Sequence, residues 1–137
     1  MKINNELIIK GFILAGLTNI LGVLTLSRFF SNGVIPAFDS QAMSNFGLLM
    51  IVVWGMVFIS VAKNFYQVKW LVGVFVIEKL IYAIHWTNWL GNNKLSDVFE
   101  QDKMAGMFYF IYGINDWTFF VFFLIVFIRL VRVKEAN

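Results

Sequence analysis

The sequence predicts an all-α membrane protein: a four-transmembrane-helix antiparallel bundle with both termini on the cytoplasmic side. Three observations predict it. Sixty per cent of the 137 residues are hydrophobic and only 14% are charged, which is outside the range of soluble domains. The apolar residues gather into four long runs, and basic residues collect in the flanks that this topology places on one side. The whole chain, 1–137, reads as a single transmembrane domain with helices at about 7–28, 43–62, 70–90 and 104–130, each long enough for roughly 30 Å of hydrocarbon at about 1.5 Å per residue.

The first run, Gly11 to Ser27, follows a short polar start. It reads as a retained helix, because Ser27-Arg28-Phe29-Phe30 offers no small-x-small cleavage site. Gly11 with Ala15, and Thr18 with Gly22, place small residues four apart on it, a spacing that lets a second helix come close. The second run carries no charge. The third carries Glu78, Lys79 and His85, and the fourth carries Asn115 and Asp116.

Orientation follows from the flanks. With the N-terminus inside, the inner segments hold Lys2, Lys10, Lys63, Lys69, Arg129, Arg132 and Lys134, against Arg28, Lys94 and Lys103 outside. This bias explains the net charge of +3 without a nucleic-acid partner, and no DNA- or RNA-binding motif is present. The expected location is a multi-pass position in a plasma membrane of the bacterial inner-membrane type.

Between the runs, Lys63 to Lys69 is short enough to force an antiparallel hairpin. Gly91-Asn92-Asn93 is a turn signal, and Leu95 to Lys103 suits a short amphipathic segment at the outer surface. The first outer loop holds the one proline, Pro36. Two readings stand for it: an interfacial loop anchored by Phe29, Phe30 and Phe38, which is preferred, or a lid folded over the bundle.

Glu78 and Asp116 carry the functional expectation. An ionisable group at membrane depth is costly and faces a bundle interior by default. Glu78, Tyr82, His85 and Trp89 are spaced four, three and four apart, and Tyr109, Tyr112 and Asp116 follow three and four apart, so each set forms one stripe on its helix. Helix rise puts Glu78 about 12 Å above the inner end of its span, Asp116 at about 18 Å and His85 at about 22 Å. If the two helices are neighbours, the stripes line one polar slot opening outward, with Asn19 closing a third side.

Such a slot suits a small lipophilic or amine ligand, with Tyr82, Trp89, Tyr112, Asn19 and Lys79 as binding residues. Glu78, His85 and Asp116 are the candidate catalytic groups for acid-base, isomerase-like chemistry, which needs proton transfer and no metal. Whether the chain is an enzyme stays open. A lone histidine and no cysteine argue against a metal site, and no cofactor is expected. Three other readings stand beside ligand binding. They are a proton- or ion-coupled carrier acting as a homo-oligomer, an accessory or assembly subunit whose charges meet a partner chain, and a purely architectural Lys79–Asp116 pair. The last is suggested because Glu78 and Lys79 are adjacent and their side chains diverge by about 100°.

Overall fold

A computed structural model of the chain describes residues 4–135. Lys2 and the side chain of Lys134, both counted in the basic flanks, lie outside the described residues. The described chain is all-α: α1 (Asn5–Leu26), α2 (Val34–Phe38), α3 (Asn45–Val61) running into a 3-10 segment (Ala62–Gln67), α4 (Lys69–Asn92), α5 (Leu95–Gln101) and α6 (Lys103–Glu135).

Local chemistry sets the helix ends. Asn4 starts α1 by accepting the Glu6 amide at 3.1 Å, and Ser44 starts α3 by accepting the Gly47 amide at 3.1 Å. Asp102 starts α6 by accepting the Ala105 amide at 2.8 Å. Each satisfies an amide that the first helical turn leaves without a partner. α1 ends at Leu26, two residues short of the expected end, because Arg28, Phe29 and Phe30 all take left-handed conformations, with φ of 49°, 53° and 67°. Left-handed backbone is unfavourable for residues with a Cβ. It is held here by the Ser27 hydroxyl accepting the Phe30 amide at 3.0 Å and by the Asn32 amide donating to Ser27 O at 2.9 Å.

The helices pack as antiparallel pairs, α1 with α3 and α4 with α6, and the contact between the two pairs is looser. Gly16 and Gly55 let the first pair approach closely, since a Cβ on Gly55 would sit 2.7 Å from the Gly16 carbonyl oxygen. Gly11 instead faces the Phe122 ring of α6, and Gly22 has open space beside it. Thus the close approach of the first pair uses a glycine outside both small-residue pairs singled out above.

Four helices are long and apolar enough to cross a membrane, and no more than 33% of any of these spans is buried inside the protein. The remainder is still apolar: Leu14, Met56, Ile81 and Ile114 are all about half exposed or more. Helices apolar on every face need an apolar medium, so the four candidate spans imply a lipid bilayer around them.

The interior has two apolar layers. Near the end that carries both termini, Phe12, Phe58, Phe75 and Phe123 interlock, with ring centroids 4.9 to 6.1 Å apart in the pairs that touch. Near the opposite, distal end, Met43, Leu48, Trp89 and Tyr109 form a second core. Each layer takes residues from several helices, which fixes the heights at which polar side chains can meet between them.

The distal connections are also built in. Ile35 of α2 and Met43 are fully buried. Tyr109 donates its hydroxyl to Ile35 O at 2.7 Å, and the Trp89 indole donates to Phe38 O at 3.1 Å. The first distal loop therefore folds over the bundle as a strap, the less favoured of the two readings, because its carbonyls receive donors from α4 and α6.

Candidate functional site

Between the two apolar layers lies a belt of buried polar residues: Asn19 from α1, Glu78 and Lys79 from α4, and Asp116 from α6. Each helix supplies them at one height. On α1, Asn19 stands one turn from Ala15 of the first core and one turn from Val23 of the second; on α6, Asp116 stands between Tyr112 and Phe119 in the same way.

Lys79 is the hub. Its ammonium lies 2.6 Å from Asp116 Oδ1, donates to Asn19 Oδ1 at 3.2 Å, and sits 5.3 Å from the Phe58 ring centroid, with only 1% of its side chain exposed. Asn19 in turn donates its amide to Ile51 O at 3.3 Å, which ties α3 into the same network. Asn115 donates to Asp116 Oδ1 at 3.4 Å. A buried ammonium requires this density of acceptors and counter-charge, since an uncompensated one would be prohibitively costly.

Glu78 is placed differently. Its Oε2 lies 4.0 Å from Lys79 Nζ, too far for a hydrogen bond, as expected for neighbours that diverge around a helix. Glu78 Oε2 and the Tyr112 hydroxyl are buried and have no hydrogen-bond partner among the described residues. Buried polar atoms without partners are rare and costly, and such atoms mark places where a water, ion or ligand belongs.

Both atoms belong to residues lining one cavity of about 40 Å³, together with Asn19, Lys79, Tyr82 and Asp116. That volume holds a few waters or the head of a larger molecule, well short of the roughly 300 Å³ at which sites for whole drug-sized ligands begin. Thr18 and Gly22 of α1 and Ile111 and Asn115 of α6 also line the cavity, which places it at the looser junction between the helix pairs.

Six of the eight residues singled out from the sequence therefore meet at one cavity: Asn19, Glu78, Lys79, Tyr82, Tyr112 and Asp116. His85 and Trp89 do not line it. His85 Nε2 lies 2.6 Å from Asp39 Oδ2 of the distal strap, and Trp89 stacks on Tyr109 at 4.2 Å and 10°. On α4 between Tyr82 and Trp89, the Trp86 indole donates to Tyr109 O at 2.6 Å, and Gly113 leaves its ring room. The stripe of α4 thus divides into a cavity half and a strap half.

Two residues of the arrangement, Asn115 and Asp39, are not among those eight. Asn115 could have been, as a second polar group beside Asp116 in an otherwise apolar run. Asp39 gave no comparable signal, because a loop carboxylate with a histidine 46 positions away has no spacing to read. Among the described residues, no group of three or more metal-ligating side chains could hold a metal ion. Compared with family models, with curated proteins and with solved structures, the chain matches none.

Proposed function

We propose that the protein is a four-span membrane protein, both termini on the cytoplasmic side, that binds a small lipophilic amine with its head in the mid-height cavity. The observation that carries this reading is the pair of unpartnered buried atoms, Glu78 Oε2 and the Tyr112 hydroxyl, in residues that line one cavity. Two carboxylates against one ammonium leave a formal negative charge in a space walled by apolar helices. A cation or a proton must meet it. An amine supplies both the charge and the N–H donors, with Glu78 as acceptor and Tyr112 as a further acceptor. The small cavity takes the head alone, so the tail would lie along the α1/α6 junction, in contact with lipid.

Acid-base chemistry on such a ligand would fall to Glu78, the one carboxylate of the belt that the Lys79 ammonium does not hydrogen-bond. His85 is engaged with Asp39 away from the cavity, which argues against a part for it in proton transfer there.

The test is binding of dodecylamine, with dodecanol as the uncharged control, to the full chain in lipid nanodiscs by calorimetry. The amine is expected to bind, the alcohol to bind at least about tenfold more weakly, and Glu78→Gln to remove that difference while the helical signal is kept. Equal binding of both probes by the wild type would overturn the reading. Proton flux into vesicles that depends on Glu78 and Asp116, with no amine binding, would favour a carrier instead.

A further inference from the structure

The end that carries both termini holds a second concavity, a groove of about 760 Å³ between the start of α4 and the last turns of α6. Lys69 and Arg129 line it with Trp70, Tyr66, Gln67 and Asn5, and among the described residues none that lines it is acidic. We infer that this groove binds the phosphate-bearing headgroup of an anionic phospholipid. The inference rests on the chain lying in a bilayer and is independent of what occupies the mid-height cavity.

Depth supports the assignment. If the polar belt marks the membrane middle, Lys69 lies nine residues from Glu78, or about 14 Å, and Arg129 lies 13 residues from Asp116, or about 20 Å. The hydrocarbon half-thickness is about 15 Å, so both cations fall at the headgroup level of one leaflet. Trp70 is 70% exposed and Tyr66 56% exposed, as suits amphipathic rings at a membrane interface.

Chemistry supports it as well. Lys69 Nζ stands 5.0 Å from the Trp70 ring centroid, and Arg129 donates to Asn5 Oδ1 at 2.9 Å, which fixes the guanidinium beside the groove. The acid adjacent to Asn5, Glu6, is paired with Lys10 at 2.8 Å. Two cations, two neutral amides and an aromatic wall suit a phosphodiester whose acyl chains continue up the apolar helix faces. The volume falls within the roughly 300 to 1,000 Å³ of ligand sites, and basic pockets between spans on the cytoplasmic side are a recurrent way to hold such heads.

The experiment measures lipid retained by the purified full chain, by native mass spectrometry, after exchange into equal amounts of phosphatidylglycerol and phosphatidylcholine. Preference for phosphatidylglycerol is expected. Lys69→Gln should reduce it about fivefold and the Lys69→Gln/Arg129→Gln double variant about 30-fold. Lys63→Gln, at the same end but outside the groove, should leave it unchanged. Loss of preference in Lys63→Gln to the same degree as in Lys69→Gln would show general surface attraction and overturn the site. So would displacement of the lipid by millimolar inorganic phosphate, which would assign the groove to the free anion. The single Lys69→Gln variant leaves the Arg129–Asn5 bond in place, so the result does not depend on the double variant folding.

Discussion

Lys79 and Asp116 form an ion pair, Nζ to Oδ1 at 2.6 Å, that joins α4 to α6 with almost no solvent access to either side chain. Such a pair is costly to desolvate and far more costly to break than to replace. Asp116→Ala should therefore destabilise the bundle by about 3 to 5 kcal/mol, whereas Lys79→Met combined with Asp116→Leu should recover most of that loss. Equilibrium unfolding in mixed micelles measures both. Equal stability of the single and double variants would mean that the charge left behind finds another partner.

The Tyr112 hydroxyl has no such partner among the described residues. Removing an unsatisfied buried hydroxyl relieves a desolvation cost, so Tyr112→Phe should leave stability unchanged or raise it by about 1 kcal/mol. Dodecylamine binding should fall about tenfold at the same time. Paired measurements of unfolding and calorimetric binding separate the two effects, and a fall in stability would show that the ligand-free hydroxyl is already satisfied by water.

The contrast between Gly55 and Gly22 tests the packing of the first helix pair. A Cβ at position 55 would meet the Gly16 carbonyl oxygen at 2.7 Å and Ile20 Cγ1 at 2.8 Å, whereas one at position 22 would meet nothing within 4 Å. Backbone cannot yield as a flexible side chain can, so Gly55→Ala should cost about 1 to 3 kcal/mol. Gly22→Ala should stay within about 0.5 kcal/mol of wild type. Thermal unfolding of the two variants side by side decides it.

These sites also show what was legible in the sequence. The four apolar runs and the stripes of Glu78 and Asp116 were readable because helical period and membrane cost act within one segment. The meeting of Lys79 with Asp116 was readable because Lys79 diverges from its neighbour Glu78 by about 100° and buried charges in a membrane pair with one another. Which loop closes over a stripe, and which helix packs against which, were not. His85 stands on the same nominal stripe as Glu78, yet it lies two turns nearer the distal end and meets Asp39, because the loop carrying Asp39 folds over the bundle. Gly16 gives no signal in the sequence for the same reason: its partner lies 39 residues away on α3, and spacing within one helix cannot name it.

Asp102 gives a pH signature at the distal end. Its carboxyl is held down at about 2, against an ordinary 3.8, chiefly by the Ala105 amide and then by Arg28 and Asn32, while burial pushes the other way. The folded value lies below the unfolded one, so the ionised form favours folding. That stabilisation is complete above about pH 4 and is lost as pH falls toward 2. Asp102→Asn retains an N-cap acceptor but has no charge to titrate. A plot of melting temperature against pH for wild type and Asp102→Asn should therefore converge between pH 4 and 2, and parallel curves would show that Asp102 does not carry the effect.

His85 of α4 meets the distal strap through one carboxylate. Its Nε2 meets Asp39 Oδ2 at 2.6 Å, while Asp39 Oδ1 accepts the amides of Gln41 and Ala42 at 3.2 and 3.0 Å. Breaking the first contact loosens the carboxylate that organises the other two. His85→Ala should raise hydrogen exchange at Gln41 and Ala42 roughly tenfold, the equivalent of one charge-assisted hydrogen bond. Ile35 and Phe38 keep their bonds from Tyr109 and Trp89, so the strap should stay seated and exchange near Asp116 should not change. Amine binding in the same variant then distinguishes tether from proton-transfer group: unchanged affinity with faster exchange at the strap identifies His85 as the tether, whereas a loss of affinity with the strap intact would return it to the site.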